Sequence, residues 1–152
     1  MLDLISFNFI IFLFIVFIIG LVLLNTKKID YTKNRFKGEM YEIKVANYYK
    51  KLGYEVDQRG LKKKLKDEGI DLIVYKNSKT LLIQCKNWQK EKSIYAKHIK
   101  EFYGSCHLYM ENNSINKNSV LCIYAIPNEK LLNKFSLDIL KKNYSRLRYT
   151  VI

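Results

Sequence analysis

A chain of 152 residues with 27 lysines and arginines against 14 acids carries a net charge of +13. The length suits one domain and leaves no room for a separate recognition domain, and the charge points to a polyanionic partner, either nucleic acid or anionic lipid. Cys85, Cys106 and Cys122 have neither close pairing nor zinc-type spacing, which excludes a disulfide scaffold and a zinc module and fits a reducing cytoplasm.

Residues 4–24 are almost wholly apolar and uncharged, interrupted only by Ser6, Asn8 and Gly20. A helix of that length reaches about 30 Å, the thickness of a bilayer's hydrocarbon core. A cleaved signal peptide would begin with positive charge and end at small residues, whereas this segment holds Asp3 and runs into Asn25-Thr26-Lys27. The expectation is a transmembrane anchor over residues 1–26, in contact with the lipid bilayer through 4–24. Lys27, Lys28, Lys33, Arg35 and Lys37 follow the span and no base precedes it. Flanking charge of that sign predicts a single pass through the inner (cytoplasmic) membrane, with the remainder facing the cytoplasm. The bases nearest the span can touch lipid headgroups, but the others are spread too widely for that role alone.

Residues 27–34 read as a polar linker and 35–152 as the folded domain. Tyr41, Val45, Tyr48 and Leu52 mark one face of a helix over 36–52, and Gly53 is placed to stop it. Residues 54–58 alternate as a strand does, and 59–68 form a polar loop carrying Lys62, Lys63, Lys64 and Lys66. Two strands, 70–75 and 80–86, flank Asn77-Ser78. A two-residue turn there sets Lys76 opposite Lys79 and Asp71 opposite Gln84, with Lys86 sharing the face of Gln84. After Trp88, the residues Ile99, Phe102, Tyr103, Cys106 and Met110 form a helical stripe, with Lys97, His98 and Lys100 off it. Residues 120–126 are continuously apolar, as expected of a strand buried on both faces, and Pro127 ends the run. Leu132, Phe135 and Ile139 suggest a short helix and 149–152 a last strand. The order α-β-β-β-α-β-α-β predicts an α/β domain.

A carboxylate, an amide and a lysine in apolar strands need a reason, because unpaired buried polar groups are costly. Phosphodiester hydrolysis supplies one. Asp71, the Gln84 amide oxygen and the Cys85 main-chain carbonyl are oxygen donors suited to a hard cation. Lys86 can hold the attacking water or the developing oxyanion. Glu42 is a further acid if the first helix packs across the sheet. The bland reading is a cross-strand ion pair of Asp71 with Lys86, and a solvated Glu42.

The segments Gly38-Glu39-Met40-Tyr41-Glu42, Val45-Ala46 and Gly53-Tyr54-Glu55-Val56 resemble the opening helix and strand of Mrr-like restriction endonucleases. Asp67-Glu68-Gly69-Ile70-Asp71-Leu72-Ile73 and Leu82-Ile83-Gln84-Cys85-Lys86 resemble their catalytic strands. The resemblance covers roughly residues 36–126 and places the chain beside the PD-(D/E)xK nuclease superfamily. It implies an αβββαβ core whose mixed sheet is flanked by helices, with Glu42, Asp71, Gln84 and Lys86 as the active site. It also implies cleavage of DNA with Mg²⁺, or Mn²⁺ in its place. Ile70 stands where the superfamily has proline, and Gln84 replaces its second acid. Asp67 and Glu68 read as loop acids.

Lys62, Lys63, Lys64 and Lys66 precede Asp71 and can grip phosphates, while Lys90, Lys92, Lys97 and Lys100 can form the opposite wall. Such contacts position a duplex without reading its sequence. Trp88 can cap the core or stack on a base. His98 and His107 lie in no metal-binding motif. Three readings compete. They are a membrane-anchored endonuclease acting on foreign or modified DNA or, as a Holliday-junction resolvase does, on branched DNA; a non-catalytic module tethering DNA to the membrane; and a membrane protein whose basic face binds lipid. Cutting both strands favours a homodimer with two sites.

Overall fold

The computed structural model describes the backbone of residues 2–59 and 69–152 and the side chains of 9, 12–24, 26, 31–59 and 69–152. Residues 1–36 and 37–152 form two compact units. Helix α1 runs Leu2–Lys51. In the first unit the backbone is helical through 27–34, where the sequence reads as a linker. Among the described residues no helix is long and apolar enough to cross a membrane. Part of the expected span, the side chains of 4–8, 10 and 11, lies outside those residues.

In the second unit α1 ends because Gly53 takes φ +78°. There Tyr54 N–H donates to Tyr49 O at 3.1 Å and Gly53 N–H to Lys50 O at 2.9 Å, the paired bonds of a Schellman stop. Strands β1 (Glu55–Gln58), β2 (Leu72–Lys76) and β3 (Lys79–Cys85) follow, then α2 (Ala96–Asn112), β4 (Val120–Ile126), α3 (Lys134–Lys142) and β5 (Leu147–Val151). The sheet order is β1-β2-β3-β4-β5, antiparallel from β1 to β3 and parallel from β3 to β5. This mixed five-stranded α/β arrangement, with helices, fits a restriction-endonuclease-like fold, in the element order the sequence predicts.

The β2–β3 turn has φ +48° at Asn77 and +63° at Ser78, so both central residues are left-handed as a type I′ hairpin requires. Lys76 faces Lys79 and Leu72 faces Ile83, the expected register. The pairing departs from expectation at its far end. Asp71 N–H donates to Ile83 O at 2.9 Å although Leu72 is already the partner of Ile83. Two residues thus oppose one, which is a β-bulge, and Asp71 is not the direct partner of Gln84. The extra residue is why Ile70 and Ile73, three apart, enter the same core.

Each sheet face carries its own core. On one, Tyr41, Val45, Ala46 and Tyr49 of α1 pack on Leu72, Val74, Leu81, Ile83, Ile123 and Ala125. On the other, Ile99, Phe102, Cys106 and Met110 of α2, with Leu140 of α3, pack on Ile73, Leu82, Cys122, Tyr124 and Ile126. Two expected stripes are corrected. Tyr48 and Leu52 are exposed, because the α1 contact is rotated toward Ala46 and Tyr49. This rotation puts Glu42 within the sheet-facing stripe, one position after Tyr41. Phe135 is also exposed, 70 % so, while Ser136 is fully buried. The Ser136 hydroxyl donates to Ile94 O at 2.6 Å and fixes the rotation of α3 against the pull of the larger ring.

Candidate active site

The polar groups gather at the C-terminal end of β3. The bulge lets the Asp71 carboxylate reach along the strand, where Oδ2 accepts from the Cys85 N–H at 2.6 Å. That amide lies between Gln84 and Lys86. Asp71 is 8 % exposed, so its carboxylate is held almost out of water. Gln84 Nε2 donates to Gly69 O at 2.9 Å, two residues before Asp71. This bond leaves the amide oxygen as the end available to a cation. Gly69 has φ +77°, and a Cβ there would stand 3.0 Å from Ser105 Oγ of α2. Only glycine lets this backbone come so close to the helix while turning to offer its carbonyl to Gln84.

Lys86 extends the ladder, its N–H donating to Ala125 O at 2.9 Å. Its ammonium lies 5.9 Å from the Trp88 ring centroid. Trp88 meets His98 edge-on at 5.0 Å, and His98 Nδ1 accepts from Tyr95 N–H at 3.0 Å. Asn87 Nδ2 donates to Lys37 O at 3.1 Å, tying the end of β3 to α1.

The electrostatics show which charges share this neighbourhood. Burial pushes the Cys85 thiol well above its usual range, and the carboxylates of Asp71 and Glu42 push it further, with Lys86 opposing. Cys85 faces α1, as do its strand mates Ile83 and Leu81, so Glu42 approaches from that side. Burial also raises the Tyr124 phenol, followed by the charges of Asp71 and then Glu101. Tyr124 is on the α2 face, in register with Gln84. Asp71 is therefore felt on both faces of the sheet, with Glu42 coming from one and Gln84 from the other. The arrangement offers oxygen donors beside one cationic side chain at a strand end, which can hold a hard cation and a phosphate together.

A family model described as a restriction endonuclease, Mrr_cat, matches residues 34–116, more than half of the chain. The chain belongs to this Mrr_cat restriction endonuclease family. No curated protein and no solved structure matches it. As an Mrr_cat domain it is a nuclease, a hydrolase with DNA as substrate. Nucleases of this kind generally use divalent metals such as Mg²⁺. Among the described residues no three His, Cys, Asp or Glu side chains cluster as metal ligands. The donor chemistry nevertheless suits such an ion, because the carboxylates of Asp71 and Glu42, the Gln84 amide oxygen and the Cys85 carbonyl are all oxygens.

Glu42, Asp71, Gln84 and Lys86 all lie in the matched Mrr_cat segment and come from the two elements the sequence reading named, α1 and the β2–β3 hairpin. Lys62, Lys63, Lys64 and Lys66, with Asp67 and Glu68, fall outside the described residues. Lys90, Lys92, Lys97 and Lys100 are exposed. His98, Glu101 and Ser105 share the α2 flank nearest the hairpin end, at i, i+3 and i+7. Trp88 is 37 % exposed and meets His98 of α2 edge-on. Sequence reasoning missed Tyr124, Glu101, Ser105 and the role of Gly69. The polar i, i+3, i+7 spacing beside the apolar stripe of α2 was the available signal. Nothing local marks Tyr124, whose buried hydroxyl has no hydrogen-bond partner among the described residues.

Proposed function

We propose that the chain is a membrane-anchored, metal-dependent DNA endonuclease whose active site is Glu42, Asp71, Gln84 and Lys86. One observation carries the site: the Asp71 carboxylate sits on the Cys85 amide, between the two hairpin residues proposed to act with it. Asp71, the Gln84 amide oxygen and the Cys85 carbonyl would hold Mg²⁺, or Mn²⁺ in its place. The ion would supply charge stabilisation at the scissile phosphate. Asp71 is pre-positioned by the Cys85 amide, so it needs no reorganisation to act. Gln84 is oriented by Gly69 and adds a neutral ligand. Lys86 places an ammonium beside the phosphate, orienting the attacking water and offsetting negative charge as it develops. Glu42 approaches from α1 and holds a second water or takes its proton. Lys62, Lys63, Lys64, Lys66, Lys90, Lys92, Lys97 and Lys100 bind the DNA backbone.

The membrane address rests on residues 4–24. Phe12, Phe14, Phe17 and Leu24 in that run are each at least 60 % exposed. Apolar side chains this bare and this close together ask for a non-aqueous neighbour. The bases after residue 26 support an orientation with the nuclease on the cytoplasmic side of the inner membrane. Restriction of foreign or modified DNA fits that address, and cutting both strands would use a homodimer.

The test incubates the full-length protein, in detergent, with plasmid and Mg²⁺ or Mn²⁺. Wild type is expected to cut, and Lys86→Ala to lose at least about a hundredfold in rate while still binding DNA. Equal behaviour of the two proteins removes the catalytic assignment. DNA bound but left intact by both returns the tethering reading.

A further inference from the structure

We propose that Trp88, Tyr95 and His98 form a stacking platform for an unpaired DNA base beside Lys86. The preferred substrate would then be DNA with an unstacked nucleotide near the cut. The inference rests on the nuclease reading and names the substrate class for that same site.

Trp88 follows Lys86 by two residues in the segment after β3 and keeps 37 % of its surface exposed, while Tyr95 keeps 50 %. Both rings lean on one imidazole. Trp88 meets His98 at 5.0 Å and 89°, and Tyr95 meets it at 5.8 Å and 46°. The imidazole is itself fixed, because Nδ1 accepts from the Tyr95 N–H at 3.0 Å, which leaves the ring proton on Nε2. Three aromatic surfaces are thus held together before any ligand arrives, so little side-chain entropy is left to lose on binding.

The position identifies the occupant. The Lys86 ammonium lies 5.9 Å from the Trp88 ring, so a base resting on the platform has its own phosphate within reach of the proposed active site. Exposed Lys90 and Lys97 flank the rings in the chain and suit the neighbouring phosphates. A base inside a continuous duplex has both faces covered by its neighbours. A flipped, bulged or single-stranded base offers a free π-face, and stacking on aromatic side chains is tolerant of sequence.

The chain has one tryptophan, so its emission reports directly on the platform. Full-length protein in detergent, with EDTA to prevent cutting, is titrated with a single-stranded oligonucleotide, a blunt duplex and the same duplex carrying one bulged base. The single strand and the bulged duplex are expected to quench Trp88 and the blunt duplex to leave it nearly unchanged. Trp88→Ala, followed by anisotropy of labelled DNA, is expected to weaken binding of the bulged duplex roughly tenfold or more. Its affinity for the blunt duplex should change less than about twofold, and Trp88→Phe should restore most of the preference. Equal quenching by all three DNAs overturns the platform, as does equal loss of affinity for both duplexes in Trp88→Ala, or failure of Trp88→Phe to recover the preference. Cleavage assays on the same DNAs keep the two readings apart. Selective quenching without cleavage in Mg²⁺ or Mn²⁺ sinks the nuclease reading, whereas cleavage without selective quenching sinks the platform.

Discussion

At position 84 a glutamate would lose what the glutamine has. The Gln84 amide donates to the Gly69 carbonyl, and a carboxylate in that place would set two acceptors against each other. Placing an acid there with Gln84→Glu is therefore expected to lower cleavage and to cost roughly 1–3 kcal/mol in stability, read by chemical denaturation beside a plasmid assay. His98 gives a pH-dependent outcome. Burial lowers its pKa below 6.5, the positive charges of Lys97 and Lys86 lower it further, and Glu101 opposes them. The folded state then binds its proton less readily than the unfolded chain does. Its contribution is fully present above about pH 6.5 and is lost as pH falls through the lower, folded-state value. Melting temperatures measured from pH 7 down to pH 5 should fall more for wild type than for His98→Asn. Equal slopes would remove His98 from the account.

At the scale of elements, the hairpin is where the sequence is most and least legible. Its register followed from alternation and from a turn of two residues. The bulge did not, because the carboxylate of Asp71 marks a polar site without marking an inserted residue, and the backbone alone records the insertion. Gly69 is the nearest outward sign of the irregularity. Gly69→Ala is expected to destabilise by about 1–2 kcal/mol for its left-handed backbone alone. The 3.0 Å approach to Ser105 Oγ adds to this, so Ser105→Ala should return part of the loss in urea denaturation. In the opposite sense, Ser78 takes φ +63° with a side chain that disfavours it, and Ser78→Gly should stabilise the hairpin by about 1 kcal/mol. The helices repeat the lesson. The stripe of α2 was read nearly as it stands because its apolar spacing is regular. The rotation of α3 was hidden, since it depends on a hydroxyl bond from Ser136 to Ile94, 42 residues away. The phase of α1, and with it the sheet-facing place of Glu42, turned on Ala46 and Tyr49 rather than on the larger Tyr48 and Leu52.

For the whole molecule, the membrane reading and the nuclease reading are separable by experiment. Full-length protein is expected to stay with membranes through alkaline carbonate extraction and to leave them when residues 1–26 are removed. Release of the intact chain by carbonate would overturn the anchor. DNA binding should weaken steeply with salt, as it does when several lysines displace counterions, and a flat response would remove the basic surface from the mechanism.

The bulged hairpin has a consequence for how the enzyme comes into being. Asp71, Gln84 and Cys85 belong to one pair of neighbouring strands, and the bonds that position them span only 14 and 15 residues. Short loops close at small entropic cost, so this half of the proposed site can form early on a nascent chain. In the proposed site Glu42 joins when α1 docks on the sheet, and β4 brings Tyr124 beside Gln84 only when it pairs with β3. The hairpin part of the proposed site would therefore be in place on the nascent chain before β4, the next strand of the sheet, has been made.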